Sequence, residues 1–192
     1  MSETVGGATF PDTLAVWKPI GQPVAPAGIP QVRELVVFTT MYDDPTRLIE
    51  LRNLNNSSDV PALADDSGWR NLVAMMKLSA MSGSNSTDPV LTDLLRKADV
   101  TDASGRSYGQ RGCVRFEQTL RPSASEWQAY RAGSTSWQSL PWVQGIYGSK
   151  FGQRQALCRI ELQLRPGDVT SNDKQSAIPF FGSAALYYQL KR

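Results

Sequence analysis

Apolar and polar residues alternate along several stretches of this chain, which is the pattern of β-strands with one buried face and one wet face. The alternation is clearest at 113–121 and 157–165, a run rich in β-branched and aromatic residues occupies 32–42, and 183–192 is a further strand candidate. Half-buried strands of this kind favour antiparallel pairing over a doubly wound parallel sheet. The apolar segment 69–81 fits either a strand or a helix.

Local capping signals predict short helices between the strands. Asp-Pro pairs at 44–45 and 88–89 each place a capping carboxylate before a proline, which suits the first helical turn. Ser123 and Glu126 have the spacing of a capping box, and Gly133 follows at a suitable distance to end that helix. Strands and helices together predict a β-rich α+β fold, an antiparallel sheet or sandwich with two or three short helices.

The N-terminal residues, 1–30, are predicted to form an extended arm. Proline lacks an amide hydrogen and fixes φ, so the prolines between residues 19 and 30 favour a polyproline-like path. Apolar residues such as Trp17, Ile20 and Val24 indicate that the arm lies on a protein surface, its own or a neighbour's. The remaining residues, 31–192, are expected to form a single β-rich domain.

One segment of the sequence occurs twice, at 108–122 and at 151–166. Both copies contain an aromatic residue, Gly-Gln-Arg, a short spacer and Arg-(Phe/Ile)-Glu-x-x-Leu-Arg-Pro. A matched pair of this kind indicates two equivalent elements in one fold. The arginine of each Gly-Gln-Arg, Arg111 or Arg154, lies where its strand is expected to begin.

The two repeated strands each have an apolar face and a charged face. The predicted buried residues are Val114, Phe116, Leu120, Cys158, Ile160, Leu162 and Leu164. The predicted outer residues are Arg115, Glu117, Thr119, Arg121, Arg159, Glu161, Gln163 and Arg165. This outer face is either a contact surface for phosphate or a charged partner, or a solvated face with cross-strand ion pairs worth about 0.5 kcal/mol each.

The length and net charge of the chain limit the classes of protein to which it can belong. A chain of 192 residues fills one core, and its net charge of +2 creates no strong field toward nucleic acid or anionic lipid. No stretch approaches the roughly 18–20 apolar residues of a membrane-spanning helix. The N-terminus lacks the basic and apolar regions of a signal peptide, so we expect a cytoplasmic protein, or one in the host cytoplasm or virion if it is viral.

Signatures of catalysis are missing from the sequence. The chain has no histidine, which removes Ser-His-Asp and Cys-His catalysis and the commonest metal ligand. It contains neither the serine motif of hydrolases nor a phosphate-binding loop. Cys113 and Cys158 fall on opposite faces by the alternation, which argues against a shared metal site. We therefore expect no enzymatic activity, no cofactor and no metal.

These features favour a protein that makes contacts with copies of itself. The leading hypothesis is a non-enzymatic, self-assembling structural protein of the virus coat or matrix type. One alternative is a module that binds RNA or DNA through the repeated arginines. Another is a small ligand-binding or enzymatic β domain.

Two groups of residues are the candidate contacts. Those predicted to lie at the interface between subunits are Trp17, Ile20, Val24, Trp127, Trp137 and Trp142. Those predicted to meet nucleic acid or a partner are Arg111, Arg115, Arg121, Arg154, Arg159 and Arg165. For the aromatic residues between 127 and 147, packing inside the core is the alternative to an interface.

Overall fold

A computed structural model describes residues 1–5, 7–19, 29–82, 89–145, 153–165 and 177–189. The chain divides into two compact units, one made of Met1–Arg115 with Leu162–Phe180, the other of Phe116–Glu161 with Phe181–Arg192. The described residues form eleven β-strands and three α-helices, so the predicted β-rich α+β class is confirmed. The proline-rich part of the predicted arm, 20–28, lies outside these residues.

The strands and helices of the described residues have the following bounds. The strands are β1 Glu3–Val5, β2 Ala8–Phe10, β3 Leu14–Trp17, β4 Leu35–Thr40, β5 Leu48–Leu51, β6 Val90–Thr92, β7 Lys97–Thr101, β8 Ser107–Gly112, β9 Val114–Arg121, β10 Gln153–Leu164 and β11 Ile178–Gln189. The helices are α1 Asp66–Met81, α2 Ala124–Arg131 and α3 Pro141–Gly145.

The strands form four sheets in the described part of the chain. β1 pairs with β2 and β7 with β8, the largest sheet has the order β3-β4-β5-β6, and the last has the order β11-β10-β9. The pairs in the first three of these sheets are antiparallel, as the alternating pattern predicted. Strand β3, which lies within the predicted arm, is therefore part of the four-stranded sheet.

The core of the first unit lies between the four-stranded sheet and helix α1. Strand β4 occupies an interior position, with Val37 opposite Leu51 of β5 and Val36 opposite Val16 of β3. Helix α1 buries Val73 and Met76 against this sheet. The segment 69–81, which fitted either a strand or a helix, is therefore helical. The residues of α1 that pack in the core recur with the period of a helix, and they are Trp69, Leu72, Val73, Met76 and Ala80.

Helix α1 begins at a cap that its own sequence provides. The Asp65 carboxylate accepts a hydrogen bond from the backbone N–H of Gly68, at 2.9 Å, and another from the Ser67 hydroxyl, at 2.8 Å. These hydrogen bonds lower the pKa of Asp65 below its usual value, the Gly68 bond most strongly. The carboxylate therefore stays ionised at the positive end of the helix.

Two of the three predicted helices are wrong. Residues after the Asp-Pro pair at 44–45 form β5, and those after Pro89 form β6 and later β7. Asp44 closes a turn instead, accepting hydrogen bonds from the N–H and hydroxyl of Thr46. Because β5 is an interior strand, burial of its leucine and isoleucine side chains outweighs the local helix signal.

The third predicted helix, α2, is confirmed with its caps. Ser123 accepts from the N–H of Glu126 at 3.3 Å, and the Glu126 carboxylate accepts from the N–H of Ser123 at 2.7 Å. Gly133 follows the helix with φ +73°, a conformation that suits glycine. This reciprocal pair of hydrogen bonds is the capping box that the spacing of the two residues indicated.

The repeat has two different shapes in its two copies. The first copy is interrupted at Cys113 and belongs to two strands, β8 and β9, whereas the second forms the single long strand β10. Gly112 stands at the interruption, where a Cβ atom would lie 2.2 Å from the carbonyl oxygen of Pro45. Only glycine permits this close approach, which lies directly beside the bend in the first copy.

Candidate interaction surface

Strand β11 lies at the edge of its three-stranded sheet and exposes most of its side chains. Phe181 is 67% exposed, Leu186 64% and Tyr187 50%. Ile178 and Phe180 are likewise more than half exposed. Large apolar side chains gathered on one exposed strand are unusual on a monomeric protein and indicate a contact site.

In the part of the chain that the structure describes, the outer edge of β11 carries no charged side chain that would prevent strands from pairing. Its sequence, IPFFGSAALYYQ, contains no charged residue. An edge strand presents unpaired N–H and C=O groups, and natural proteins usually protect it with charges, bulges or a covering segment. Pro179 is the one residue of β11 that is typical of such protection, and it lies at the beginning of the strand.

The inner side of β11 is tied to β10 by a hydrogen bond and a close approach. The amide Nε2 of Gln155 donates to the hydroxyl oxygen of Tyr187 at 2.7 Å. A Cβ atom at Gly182 would lie 3.1 Å from Cγ2 of Ile160, so glycine lets the two strands come together. The strand is therefore held against β10 on its own chain, while most of its described side chains are exposed.

The predicted interface tryptophans are divided between surface and core. Trp17, at the end of β3, is 46% exposed, whereas Trp137 and Trp142 are buried and Trp127 is half-buried. Ile20 and Val24 lie outside the described residues. The role of these residues at an interface between subunits stays a prediction.

Trp137 is the centre of an aromatic cluster within the second unit. Its ring meets those of Trp127, Tyr130 and Trp142 edge-on, at centroid distances of 6.5, 5.4 and 6.2 Å. Edge-to-face contacts of this kind are the favoured geometry for packed aromatic rings. Within the single chain, the two buried tryptophans are therefore packed in a core, which is the alternative to an interface that the sequence left open.

The repeated Gly-Gln-Arg places its arginine against an aromatic ring in both copies. The guanidinium of Arg111 lies 5.5 Å from the ring centroid of Phe10, and that of Arg154 lies 5.0 Å from Trp127. Arg111 also forms an ion pair with the buried Asp12, at 3.3 Å. Both arginines are half-buried, and these contacts with their own chain give the repeated motif a structural role.

The other four candidate arginines differ in exposure. Arg115, Arg121 and Arg159 are exposed, and Arg165 is half-buried with its backbone N–H donating to Leu94 at 2.8 Å. On β9 the side chains alternate as predicted, with Val114 buried and its neighbours on the outer face exposed. Three arginines are thus accessible to a partner or to nucleic acid, and their predicted role stays a prediction.

Both cysteines are half-buried free thiols. Burial raises the pKa of Cys113, which Arg96 opposes by its charge, and burial also raises the pKa of Cys158. Neither thiol is therefore activated as a thiolate at neutral pH. Within the described ranges, no three aspartate, glutamate or cysteine side chains gather closely enough to hold a metal ion.

The exposed strand was only partly foreseen from the sequence. The segment 183–192 was predicted to be a strand, but β11 begins earlier, at Ile178, and includes the two phenylalanines. The absence of charge over these twelve residues was the available signal. Its meaning depends on β11 lying at the edge of the sheet, which the sequence pattern does not specify.

No protein-family model, curated protein or solved structure matches this chain. Over the part of the chain that the structure describes, no helix has the length and apolar character needed to cross a membrane.

Proposed function

We propose that this chain is a non-enzymatic structural subunit, of the virus coat or matrix type, that assembles with copies of itself through β11. The observation that carries the proposal is the exposed, uncharged edge of β11, with Phe181, Leu186 and Tyr187 all at least half exposed. Assembly would cover these side chains and pair the outer N–H and C=O groups of the strand.

The sequence of β11 favours a second copy of the same strand as the partner. Large residues lie at 180–181 and again at 186–187, and the four residues between them, Gly-Ser-Ala-Ala, are small. In an antiparallel pair with its two-fold axis at Ser183, Phe180 faces Leu186 of the other strand, and with the axis at Ala184, Phe181 faces Tyr187. The pattern is therefore self-complementary, and no like charges face each other across the axis.

The exposed apolar area is adequate for a dimer. The five large side chains of β11, each roughly half exposed or more, would bury on the order of 500 Å² per chain. A standard interface buries roughly 800 Å² per partner, and the strand backbone with its small residues supplies part of the difference. Further contacts, including the predicted one by Trp17, would extend a dimer into a larger assembly.

Light scattering after size exclusion tests the proposal on the wild-type chain and two matched variants. We expect the wild type to have a molar mass above the 21.1 kDa monomer and to dissociate on dilution. Phe181→Glu introduces a charge at the exposed seam and should weaken association at least roughly tenfold. Leu63→Glu replaces another exposed apolar residue, 92% exposed, and should assemble like the wild type.

A wild-type chain that stays monomeric at every concentration, or a Phe181→Glu variant that associates as strongly as Leu63→Glu, would contradict the proposal. The absorbance ratio at 260 and 280 nm, recorded in the same run, tests the nucleic-acid alternative. A raised ratio that falls with added salt would support contacts between phosphates and the exposed arginines.

A further inference from the structure

Helix α1 has a second apolar face, opposite the one that packs in the core. On this face Met75 is 65% exposed, Leu78 54% and Met81 44%. These residues are spaced three positions apart, so their side chains form one ridge along the surface of the helix. A helix at the surface of a globular protein normally presents polar residues to solvent, so an apolar ridge there indicates a contact with another molecule.

The exposed surface of α1 around this ridge carries no charged side chain. From residue 71 to residue 82, the exposed residues are Asn71, Met75, Leu78, Met81 and Ser82. The exposed charged residues of α1, Asp66 and Arg70, lie in its first two turns. Nucleic acids and strongly charged proteins are recognised through their charges, which this surface does not complement. The ridge therefore fits another uncharged, apolar surface.

The ridge is complementary to a second copy of itself. In an antiparallel pair of α1 helices with a two-fold axis at Leu78, the two Leu78 side chains meet, and Met75 faces Met81 of the other copy. Ala74, which is half-buried, then lies opposite Ser82 of the other copy. Small residues at these positions let the two helices approach closely, and methionine side chains adapt readily to a packed surface.

The exposed charges at the start of α1 do not oppose this pairing. Arg70 precedes the axis at Leu78 by eight residues, as the numbering shows. At a rise of 1.5 Å per residue, the two arginines of a pair would lie about 24 Å apart along the helices. This separation exceeds the Debye length of about 8–10 Å, so their repulsion is largely screened. Asp66 lies one turn further from the axis.

We propose that α1 pairs with α1 of a second copy of this chain through the ridge of Met75, Leu78 and Met81. This inference rests on the proposed self-assembly and adds a second contact to it, since α1 lies in the first compact unit and residues 181–189 of β11 lie in the second. A contact between identical surfaces joins two copies and no more. Two such contacts with different axes continue from copy to copy, as a coat or matrix layer requires.

The α1 contact is expected to be the weaker of the two. Three partly exposed side chains cover much less than the roughly 800 Å² per partner of a standard interface. In a larger assembly each copy makes more than one contact, so a contact that is weak between two isolated copies still adds to the stability of the whole. Dimers through β11 should therefore form at lower protein concentrations than the larger assembly does.

Sedimentation velocity over a range of protein concentrations tests the α1 contact. The wild-type chain should form species larger than a dimer, and Leu78→Glu should weaken that further assembly at least roughly tenfold and leave the dimer. Glutamate is a good helix former, so this variant should retain α1. Leu54→Glu is the matched control, because Leu54 is 60% exposed and lies outside α1, and it should assemble like the wild type.

Two double variants test the antiparallel arrangement. Met75→Glu with Met81→Lys places opposite charges across the contact, whereas Met75→Glu with Met81→Glu places like charges there. The first should assemble at least roughly tenfold more strongly than the second, and added salt should reduce the difference. The two positions are six residues apart in one helix, so they do not form the i,i+4 pair that would act within a single copy.

The contacts through α1 and through β11 can fail separately in these measurements. The α1 contact is overturned if Leu78→Glu assembles like Leu54→Glu, or if the two double variants assemble equally. It is also overturned by a wild-type dimer that Phe181→Glu dissociates and Leu78→Glu leaves intact, a result that supports β11. If Leu78→Glu weakens assembly and Phe181→Glu does not, the α1 contact is supported and the β11 contact is overturned.

Discussion

At the scale of single residues, Gly112 has too little space for a side chain, which the sequence alone does not indicate. A Cβ atom there would lie 2.2 Å from the Pro45 carbonyl oxygen, and it would also approach Thr40 and Leu95 at 3.0 and 3.2 Å. A backbone carbonyl cannot turn away as a flexible side chain can. The glycine is therefore required by the space available, and it lies directly before the bend in the first copy of the repeat.

We predict that Gly112→Ala destabilises the protein by about 2 kcal/mol, the usual cost of forcing an extra carbon into a packed site. Urea unfolding measures the loss as a lower midpoint with the same slope. The equivalent test at Gly182, whose nearest contact is the Ile160 side chain at 3.1 Å, should give a smaller loss, since a side chain yields more easily. Equal stability of Gly112→Ala and wild type would contradict this account.

Residue type alone was a poor guide to which residues are exposed. Tryptophan and arginine were chosen from the sequence because they dominate protein interfaces, yet Trp137 and Trp142 are buried in their own chain and Arg111 pairs with Asp12. Lys77 of helix α1 is only 2% exposed, although an isolated lysine usually faces solvent. Its burial depends on how α1 packs in the first unit, which is tertiary information.

At the scale of elements, α2 is the one predicted helix whose local signal and final structure agree. Its capping box satisfies backbone N–H groups at both Ser123 and Glu126 without help from distant residues. The Asp-Pro pair at 44–45 has a comparable local signal but precedes β5, whose Leu48, Ile49 and Leu51 are all buried. A capping signal predicts a helix only where burial on a sheet does not compete with it.

Replacing the capping serine tests how much of α2 depends on this local signal. Ser123→Ala should cost about 1 kcal/mol, because the N–H of Glu126 loses its partner. Ser123→Asp retains a capping oxygen and should stay close to the wild type. Thermal unfolding followed by circular dichroism measures both, and an alanine variant as stable as the aspartate variant would show that the cap contributes little.

The repeat shows how far sequence similarity specifies an element. Both copies form strands, and both place the arginine of Gly-Gln-Arg against an aromatic ring. The continuity of the strand differs, since the first copy breaks at Cys113 and the second runs on as β10. Alternation predicted the strands themselves but not the break, which lies beside the close approach of Gly112 to Pro45, a residue distant in sequence.

At the scale of the whole molecule, the proposed assembly depends on β11, which lies at the edge of its described sheet and has exposed large side chains. Alternating polarity correctly predicted a β-rich, antiparallel protein, because the apolar and polar residues of a half-buried strand lie on its two opposite faces. The alternation within one strand does not depend on which strands lie beside it. The sequence could therefore not identify β11 as the edge strand of its sheet. Self-complementarity becomes meaningful only once that position in the sheet is known.

Disulfide trapping at the proposed two-fold axis tests the pairing of β11 most directly. In an antiparallel pair one residue lies opposite itself, about 4.5–5.5 Å between Cα atoms, which is within the range of a disulfide. We expect Ser183→Cys or Ala184→Cys to form a covalent dimer on mild oxidation, seen on a non-reducing gel. Controls are the wild type, with only Cys113 and Cys158, and Ser57→Cys, whose position is exposed but distant in sequence. If neither β11 variant cross-links more than Ser57→Cys, copies of this chain do not pair through β11.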